Sequence, residues 1–199
     1  MRNDLALAFP SALNGVVASL VTSLPVAQFE HDGVVTSSHS HNCPDLILQG
    51  EEIRIPYRIY NPEPPRGMID ELVGDQRALV ACLYSRHNDG FVRQRWLRAL
   101  LTSHQPWVAP FVIQLLGEYV VEIAAEIEAF AHEQLPARTE QRHAFSTFLA
   151  VNPCFARLTE QRAISYWSAY YRRRYPSRTA YPALRALRTL GDPAPTLAP

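Results

Sequence analysis

The sequence contains no lysine, so all 19 of its basic residues are arginine. Its cationic groups are therefore planar guanidiniums, which form paired hydrogen bonds and stack on aromatic rings, and flexible ammonium groups are excluded. Together with 16 prolines and abundant alanine, this composition is typical of a GC-rich genome. We infer a bacterial source.

Cysteine is also scarce. The three cysteines, Cys43, Cys82 and Cys154, are odd in number and far apart, so they imply no framework of paired disulfides and favour a reducing cytoplasm. We expect Cys82 and Cys154 to be inert thiols of the core, because both lie in apolar stretches of the sequence.

Long uninterrupted apolar runs are missing as well. Residues 5–24 are largely apolar, but Pro10 and Asn14 interrupt them, and no clear cleavage pattern of a signal peptide follows. Val17 and Leu20 fall at helical spacing. We therefore predict a docked N-terminal helix in this region, and no membrane span.

The motifs of several common enzyme classes are absent. The sequence contains no Gly-x-Ser-x-Gly nucleophile elbow, no Walker loop and no dinucleotide-binding glycine fingerprint. His87, Asn88 and Asp89 fall at a predicted helix junction, where such side chains suit acid–base chemistry, but they are also ordinary turn and cap residues. We predict no cofactor and favour a non-catalytic role.

The composition that remains is that of a globular protein, with 47% hydrophobic and 19% charged residues. The length of 199 residues fits one domain. We predict that it spans residues 1–190 and that a mobile proline-rich tail follows at 191–199. The predicted fold class is mainly α, as an irregular helical bundle or a short helical array with a small N-terminal β-hairpin segment.

The β segment is predicted over residues 27–60, ahead of the helical residues 66–190. Alternating apolar residues and turn signals indicate short strands in two hairpins. Pro56 lacks an amide donor, so we expect its strand to lie at an edge. The predicted strands are Ala27–His31 and Val34–Ser38 around Asp32-Gly33, then Asp45–Gln49 and Ile53–Tyr60 around Gly50-Glu51-Glu52.

Helical spacing of apolar residues dominates the rest of the chain, and its longest stretch is Trp107–Glu133. We predict one continuous central helix there, with Glu118, Glu122 and Glu126 in a line on another, solvated face. Carboxylates in a helical bundle also suit a di-metal site, but the Glu-x-x-His pairs of such sites are absent. The residues predicted to be buried are Phe111, Leu115, Leu116, Tyr119 and Ile123.

Shorter helices are predicted on both sides of the central one, and two of them form a recognisable pattern. Leu79–Arg86 is followed by the turn Asn88-Asp89-Gly90, then by Val92-Arg93 and a second amphipathic helix. This pattern resembles a HEAT-type helical repeat, and a degenerate second copy without the arginine extends the resemblance over residues 75–130. It implies a short array of helix pairs, although a solenoid needs about three repeats to bury its core. The other predicted helices are 138–151, 158–175 and a short one after Pro182.

Three metal-ligating side chains alternate along one short segment. His39, His41 and Cys43 would share one face of a strand, and they suit zinc or copper with His31 as a fourth ligand. No second ligand pair at zinc-ribbon spacing follows, and the same residues fit a polar loop. We therefore predict that the purified protein contains no stoichiometric zinc.

Charge is distributed unevenly along the chain. Residues 1–135 contain 16 acids and 9 arginines, whereas residues 136–199 contain 3 acids and 10 arginines. From Phe155 to Arg188 there are eight arginines and a single acid, Glu160, interleaved with tyrosines. Arginines neutralise phosphates and aromatic rings stack on bases, a combination that binds single-stranded nucleic acid.

The alternative to nucleic-acid binding is that the Arg/Tyr-rich segment 157–188 has a packing role in the fold. Trp167 and Tyr171 then belong to the buried stripe of an amphipathic helix, and the arginines pair with the acidic half of the chain. An anionic membrane surface or an acidic protein is a further alternative. The candidate nucleic-acid-binding residues are Arg172, Arg173, Arg174, Arg178, Tyr170 and Tyr175.

The sequence as a whole favours a non-catalytic, macromolecule-binding or scaffold protein of the cytoplasm, with another protein or a second copy as its first expected partner. One alternative is a nucleic-acid-binding protein that uses residues 157–188. A second is an enzyme or metal-binding protein that uses His39, His41 and Cys43. The exposure of Arg172–Arg174 together with Tyr170 distinguishes the first alternative from a packing role.

Overall fold

The computed structural model of the chain describes residues 2–25, 35–37 and 45–192. They belong to two compact units, Met1–Ser103 and His104–Pro199, which we call the first and the second unit. Most described residues are helical, and two short antiparallel strand pairs lie in the first unit. The predicted mainly α fold with a small β segment is confirmed, while the single domain over residues 1–190 stays a prediction.

The first unit begins with helical turns. Two 3-10 segments, Arg2–Ala8 and Ser11–Leu13, lead into helix α1, Asn14–Ser23. Val17 and Leu20 on α1 are buried, so the N-terminal helix docks as predicted. Among the described residues, no helix combines the length and the apolar character needed to cross a membrane.

Four three-residue strands follow, and two of them form a tight hairpin. Leu46 pairs with Ile53 and Leu48 with Glu51, across a two-residue turn in which Gln49 and Gly50 have φ values of 54° and 84°. Two positive φ values are typical of the type I′ turn, whose twist matches that of the strands. The strands are β1, Val35–Ser37; β2, Leu46–Leu48; β3, Glu51–Ile53; and β4, Pro56–Arg58.

The predicted strand Ile53–Tyr60 was wrong in its start and in its continuity, because Glu51 and Glu52, which were predicted to form the turn, belong to β3. The chain leaves the β2–β3 hairpin at Arg54, whose amide donates a 2.7 Å hydrogen bond to the Leu7 carbonyl. It then re-enters a ladder as β4, which pairs with β1. Ile53, Ile55 and Ile59 are buried, but Tyr57 between them is exposed, so the alternation fails at this one position in β4. The predicted strand Ala27–His31 and its turn Asp32-Gly33 lie outside the described residues.

Three helices follow in the first unit. The last of them, Gly90–Thr102, is capped by Asp89 as predicted, because the Asp89 side chain accepts a 2.7 Å hydrogen bond from the Phe91 amide. Asp75 precedes the middle helix, Gln76–Tyr84, without a side-chain cap hydrogen bond. The residues Ala78–Tyr84 are all buried, so this helix lies at the centre of the unit. The three helices are α2, Arg66–Asp70; α3, Gln76–Tyr84; and α4, Gly90–Thr102.

The second unit is entirely helical in its described part. Short 3-10 turns at Pro106–Val108, Leu135–Ala137 and Arg178–Ala180 connect its helices. The predicted end of helix 138–151 and the predicted helix after Pro182 are both confirmed, and most of the predicted tail lies outside the described residues. The helices are α5, Ala109–Leu115; α6, Val121–Glu133; α7, Thr139–Val151; α8, Pro153–Tyr166; and α9, Pro182–Gly191.

The predicted continuous helix Trp107–Glu133 was wrong. Residues 116–120 form a turn between α5 and α6, in which the Gly117 amide donates to the Gln114 carbonyl at 3.2 Å. A Cβ atom on Gly117 would lie 3.4 Å from a methyl carbon of Thr159, so the turn passes close to α8. The break falls where the HEAT-like resemblance placed the turn of its second copy, but the resemblance itself stays a prediction.

The break also redistributes burial. Phe111, Leu115, Leu116 and Ile123 are fully buried, as predicted, whereas Tyr119 is 50% exposed, which contradicts the prediction. Tyr119 lies in the turn, where the helical periodicity that assigned it to the core does not apply.

The predicted acidic line does not form. Glu118 lies in the turn and is buried, while Glu122 and Glu126 are one turn apart on α6. The turn rotates Glu118 away from helical register with the other two, so the three carboxylates do not share one helix face.

Candidate functional site

Helix α8 changes its winding where the arginine-rich segment becomes dense. After Tyr166 the backbone forms a π-helical turn over Trp167–Tyr171 and then a non-helical turn over Arg172–Arg174. The predicted helix 158–175 is therefore α-helical only as far as Tyr166. Such π-turns are rare, and they are frequent at functional sites.

Trp167 anchors this turn. Its indole is buried, and its Nε1 donates a 2.8 Å hydrogen bond to the carbonyl of Tyr175. The guanidinium carbons of Arg172 and Arg178 lie 5.0 and 5.6 Å from the centroid of the indole. Cation–π contacts contribute about 0.5–1 kcal/mol each at exposed sites, so the indole helps to position both arginines.

A row of tyrosine rings runs through the same segment. Tyr166 stacks on Tyr170 with centroids 6.4 Å apart, and Tyr171 stacks on Tyr181 at 5.7 Å. Tyr175 meets Tyr181 edge-on at 5.7 Å. Burial raises the pKa of the Tyr171 and Tyr181 hydroxyls, which keeps both neutral. Of the five rings, Tyr170 alone is mostly exposed, at 71%, so a nucleotide base can reach it.

The candidate residues predicted from the sequence therefore reach the surface within one short stretch of chain. The four arginines and Tyr170 are exposed, whereas Tyr175 is half-buried and lies 5.5 Å from the guanidinium carbon of Arg174. We call this set the basic surface. It consists of Tyr170, Arg172, Arg173, Arg174, Tyr175 and Arg178.

Neighbouring acids neutralise little of this charge. Arg174 and Glu122 approach to 3.9 Å, but both side chains are more than half exposed, and such pairs contribute little. In the described part of the chain, no carboxylate lies within 4.0 Å of Arg172, Arg173 or Arg178. Within the basic surface, the pairing with the acidic half of the chain is thus weak, because the Arg174–Glu122 contact is long and exposed.

His87, at the junction of α3 and α4, has both ring nitrogens engaged in the first unit. Its Nδ1 accepts a 3.0 Å hydrogen bond from the Asp89 amide, and its Nε2 lies 3.1 Å from the Asn61 carbonyl, to which it donates. Burial lowers the pKa of His87 and outweighs the opposite effect of the Asn61 contact. The ring is neutral and fixed by the backbone, which favours the structural role of His87 and Asp89 over acid–base catalysis.

Arg86 and Arg93, close to His87 in the sequence, are buried. The sequence analysis did not identify either arginine as a structural residue. Arg86 donates to the Pro56 carbonyl at 3.3 Å and the Tyr57 carbonyl at 3.0 Å, which fastens β4 to the end of α3. Arg93 donates 2.8 Å bonds to the His87 and Asn88 carbonyls. The backbone oxygens that both arginines bind could not be identified from the local sequence pattern.

The proposed metal ligands His31, His39, His41 and Cys43 lie outside the described residues. Within residues 2–25, 35–37 and 45–192, no three His, Cys, Asp or Glu side chains are grouped as metal ligands would be. The prediction that the purified protein lacks stoichiometric zinc stays a prediction.

The two described cysteines differ from each other. Cys82 is a free, fully buried thiol, and burial raises its pKa well above the usual value, so the prediction of an inert core thiol is confirmed there. Cys154 is only half-buried and is disulfide-bonded, so the same prediction was wrong for this residue.

Comparison with known proteins adds no assignment, because no family model, no curated protein and no solved structure matches the chain.

Proposed function

We propose that the chain is a non-catalytic macromolecule-binding protein whose basic surface binds single-stranded nucleic acid. The observation that carries the proposal is the joint exposure of Tyr170 and of Arg172–Arg174 on one turn. This exposure is the feature that distinguishes a nucleic-acid site from a packing helix. Nucleic acid therefore ranks ahead of the protein partner or second copy that the sequence favoured first.

The chemistry of the surface favours a single strand. Guanidiniums bind phosphate oxygens in a bidentate manner, and an exposed ring stacks on any base at about 1–3 kcal/mol per base. A duplex hides its base faces, so Tyr170 gains nothing from it, whereas the arginines bind the phosphates of either form. We expect affinity for the single strand to exceed affinity for the duplex.

The direct test is the salt dependence of binding to a short labelled single strand and to its duplex, measured by fluorescence anisotropy. For single strands, log K falls with log salt by about 0.7 per phosphate contacted. Arg172→Gln combined with Arg173→Gln should therefore reduce the slope by about 0.7 for each phosphate that the variant no longer neutralises. Arg66→Gln removes one exposed charge from α2 in the first unit and should leave the slope unchanged.

A separate substitution tests whether a base stacks on Tyr170. Tyr170→Ala should weaken single-strand binding by about 1–3 kcal/mol and change duplex binding much less. Phe91→Ala is the matched control, because Phe91 is 76% exposed in the first unit and lies outside the basic surface. No binding at low salt, or binding indifferent to the arginine and tyrosine variants, refutes the proposal.

The cytoplasm is the location that we propose for this function, because nucleic acids and an odd number of cysteines both suit it. The disulfide of Cys154 is the observation against it. Trapping thiols in intact cells with a maleimide decides the question: an oxidised Cys154 in the native cell rejects a reducing compartment.

A further inference from the structure

A groove of about 660 Å³ lies between α8 and α9 in the second unit. This volume falls within the range of about 300–1,000 Å³ that is typical of ligand-binding pockets. The residues that line it recur at helical spacing on each helix, so it follows one face of α8 and one face of α9. They include Ala156, Arg157, Glu160 and Ile164 on α8, and Leu184, Arg185, Leu187 and Arg188 on α9.

The floor of the groove is aliphatic. Ile164, Leu184 and Leu187 line it and are only half-buried, while Leu149 of α7 lies beneath them and is buried. No aromatic ring of the described residues lines the groove, in contrast with the basic surface, so a nucleotide base has no ring to stack on there. An occupant must instead offer apolar side chains or an apolar chain.

The rim is strongly positive. Four arginines and one acid, Glu160, line the groove. Arg185 is already paired with Glu128 at 3.0 Å, and Arg178 lies over Trp167. Arg157 and Arg188 have no carboxylate within 4.0 Å in the described part of the chain, and neither is fully buried. Two cations on the rim therefore remain available to an acidic occupant.

We propose that this groove binds an acidic amphipathic helix of a protein partner. From Ala156 to Ile164 the groove runs along nine residues of α8, a rise of about 12 Å or two helical turns, and an amphipathic helix can lay its apolar face into a hydrophobic groove of this kind. Apolar side chains at positions i, i+3, i+4 and i+7 of the partner enter the floor. Its glutamates face Arg157 and Arg188. The groove shares Arg178 with the basic surface, but Arg157, Arg188 and the aliphatic floor lie outside that surface, so each proposal can fail without the other.

The probe is a labelled helical peptide of about 14 residues with leucines at i, i+3, i+4 and i+7 and glutamates at the flanking positions. Binding to the full chain is followed by fluorescence anisotropy, and it should disappear when the leucines are scrambled or the glutamates are replaced by lysine. Arg157→Gln combined with Arg188→Gln should weaken binding by about tenfold, as expected for two charged pairs. Glu160→Gln should strengthen it, because this acid on the rim repels the glutamates of the peptide.

Two further variants locate the site. Leu187→Glu introduces a like charge into the floor and should abolish binding, whereas Arg173→Gln, on the basic surface and outside the groove, should leave it unchanged. If a groove variant fails to fold, amide chemical-shift changes in the wild-type chain should still map to α8 and α9. No peptide binding, equal binding of the scrambled peptide, or shifts elsewhere overturns the proposal. The proposal is also overturned if the groove binds the fatty acid dodecanoate but not the peptide. It is likewise overturned if a second copy of the chain covers the groove.

Discussion

The hydroxyl of Tyr171 donates a 2.6 Å hydrogen bond to the backbone carbonyl of Tyr119. The bond joins the π-helical turn that follows α8 to the turn between α5 and α6. Buried and half-buried backbone carbonyls in native proteins are paired with donors, and the Tyr171 hydroxyl is one donor to this carbonyl.

Removing this hydroxyl should destabilise the protein measurably. We expect Tyr171→Phe to cost about 0.5–1.5 kcal/mol, the net value of one hydrogen bond, in a denaturant titration of the second unit's transition. Tyr170→Phe, which removes an exposed hydroxyl of the neighbouring residue, should change stability by less than about 0.5 kcal/mol. Equal effects of the two substitutions would show that the hydrogen bond does not stabilise the fold.

Leu115 provides a test of the core. It is fully buried at the end of α5, so Leu115→Ala should cost about 2–5 kcal/mol, because apolar burial decreases and a cavity is left behind. Val151→Ala is the control, because Val151 is half exposed at the end of α7 and should cost far less. A thermal melt unchanged by Leu115→Ala contradicts the assignment of α5 to the core.

The periodic core was largely predictable from the sequence, and the turn within it was not. Phe111, Leu115 and Ile123 follow helical spacing, and their burial was correctly predicted. The same spacing continues through Tyr119, so periodicity alone could not reveal a break. What distinguishes the turn is the close approach of Gly117 to Thr159, two residues that are far apart along the chain. Contacts between residues so far apart in the sequence cannot be predicted from a local pattern of apolar residues.

The residues of the basic surface could be predicted from the sequence, but their spatial arrangement could not. Charge and aromatic density pointed to Arg172–Arg174 and Tyr170, because local composition persists in any fold. The cation–π contacts of Arg172 and Arg178 on Trp167 depend on the π-helical turn, which no propensity scale anticipates. The groove between α8 and α9 was missed for a similar reason, since it requires two separate helices to lie side by side.

Cys82 should be chemically silent in the folded protein. The thiolate is the reactive form, and full burial both excludes reagents and raises the pKa of this thiol. We expect iodoacetamide at neutral pH to leave Cys82 unmodified in the native protein and to alkylate it fully in denaturant, as read by peptide mass spectrometry. Native-state modification at the rate of an exposed thiol is the contrary result.

His87 should make stability depend on pH in a defined direction. Burial lowers its pKa below the usual 6.5, while Asp89 and Glu63 raise it and Arg93 lowers it, with burial dominant. Below about pH 6.5 the unfolded chain therefore takes up a proton before the folded chain does. The stability that His87 contributes is complete above that pH and decreases as the pH falls toward its folded pKa. Protonation also removes the acceptor that Nδ1 offers to the Asp89 amide.

The measurement is the free energy of unfolding between pH 7 and pH 5, on the wild type and two variants. The wild-type slope should include a His87 contribution of at most about 1.4 kcal/mol per pH unit, the value for one proton, and His87→Asn should remove that contribution. His132→Asn is the control for the loss of one imidazole, because His132 is exposed on α6. If His87→Asn does not fold, the proton resonances of the wild-type His87 ring should titrate below the pH of an unfolded peptide. A normal titration there, or an unchanged slope in His87→Asn, rules out the buried neutral histidine.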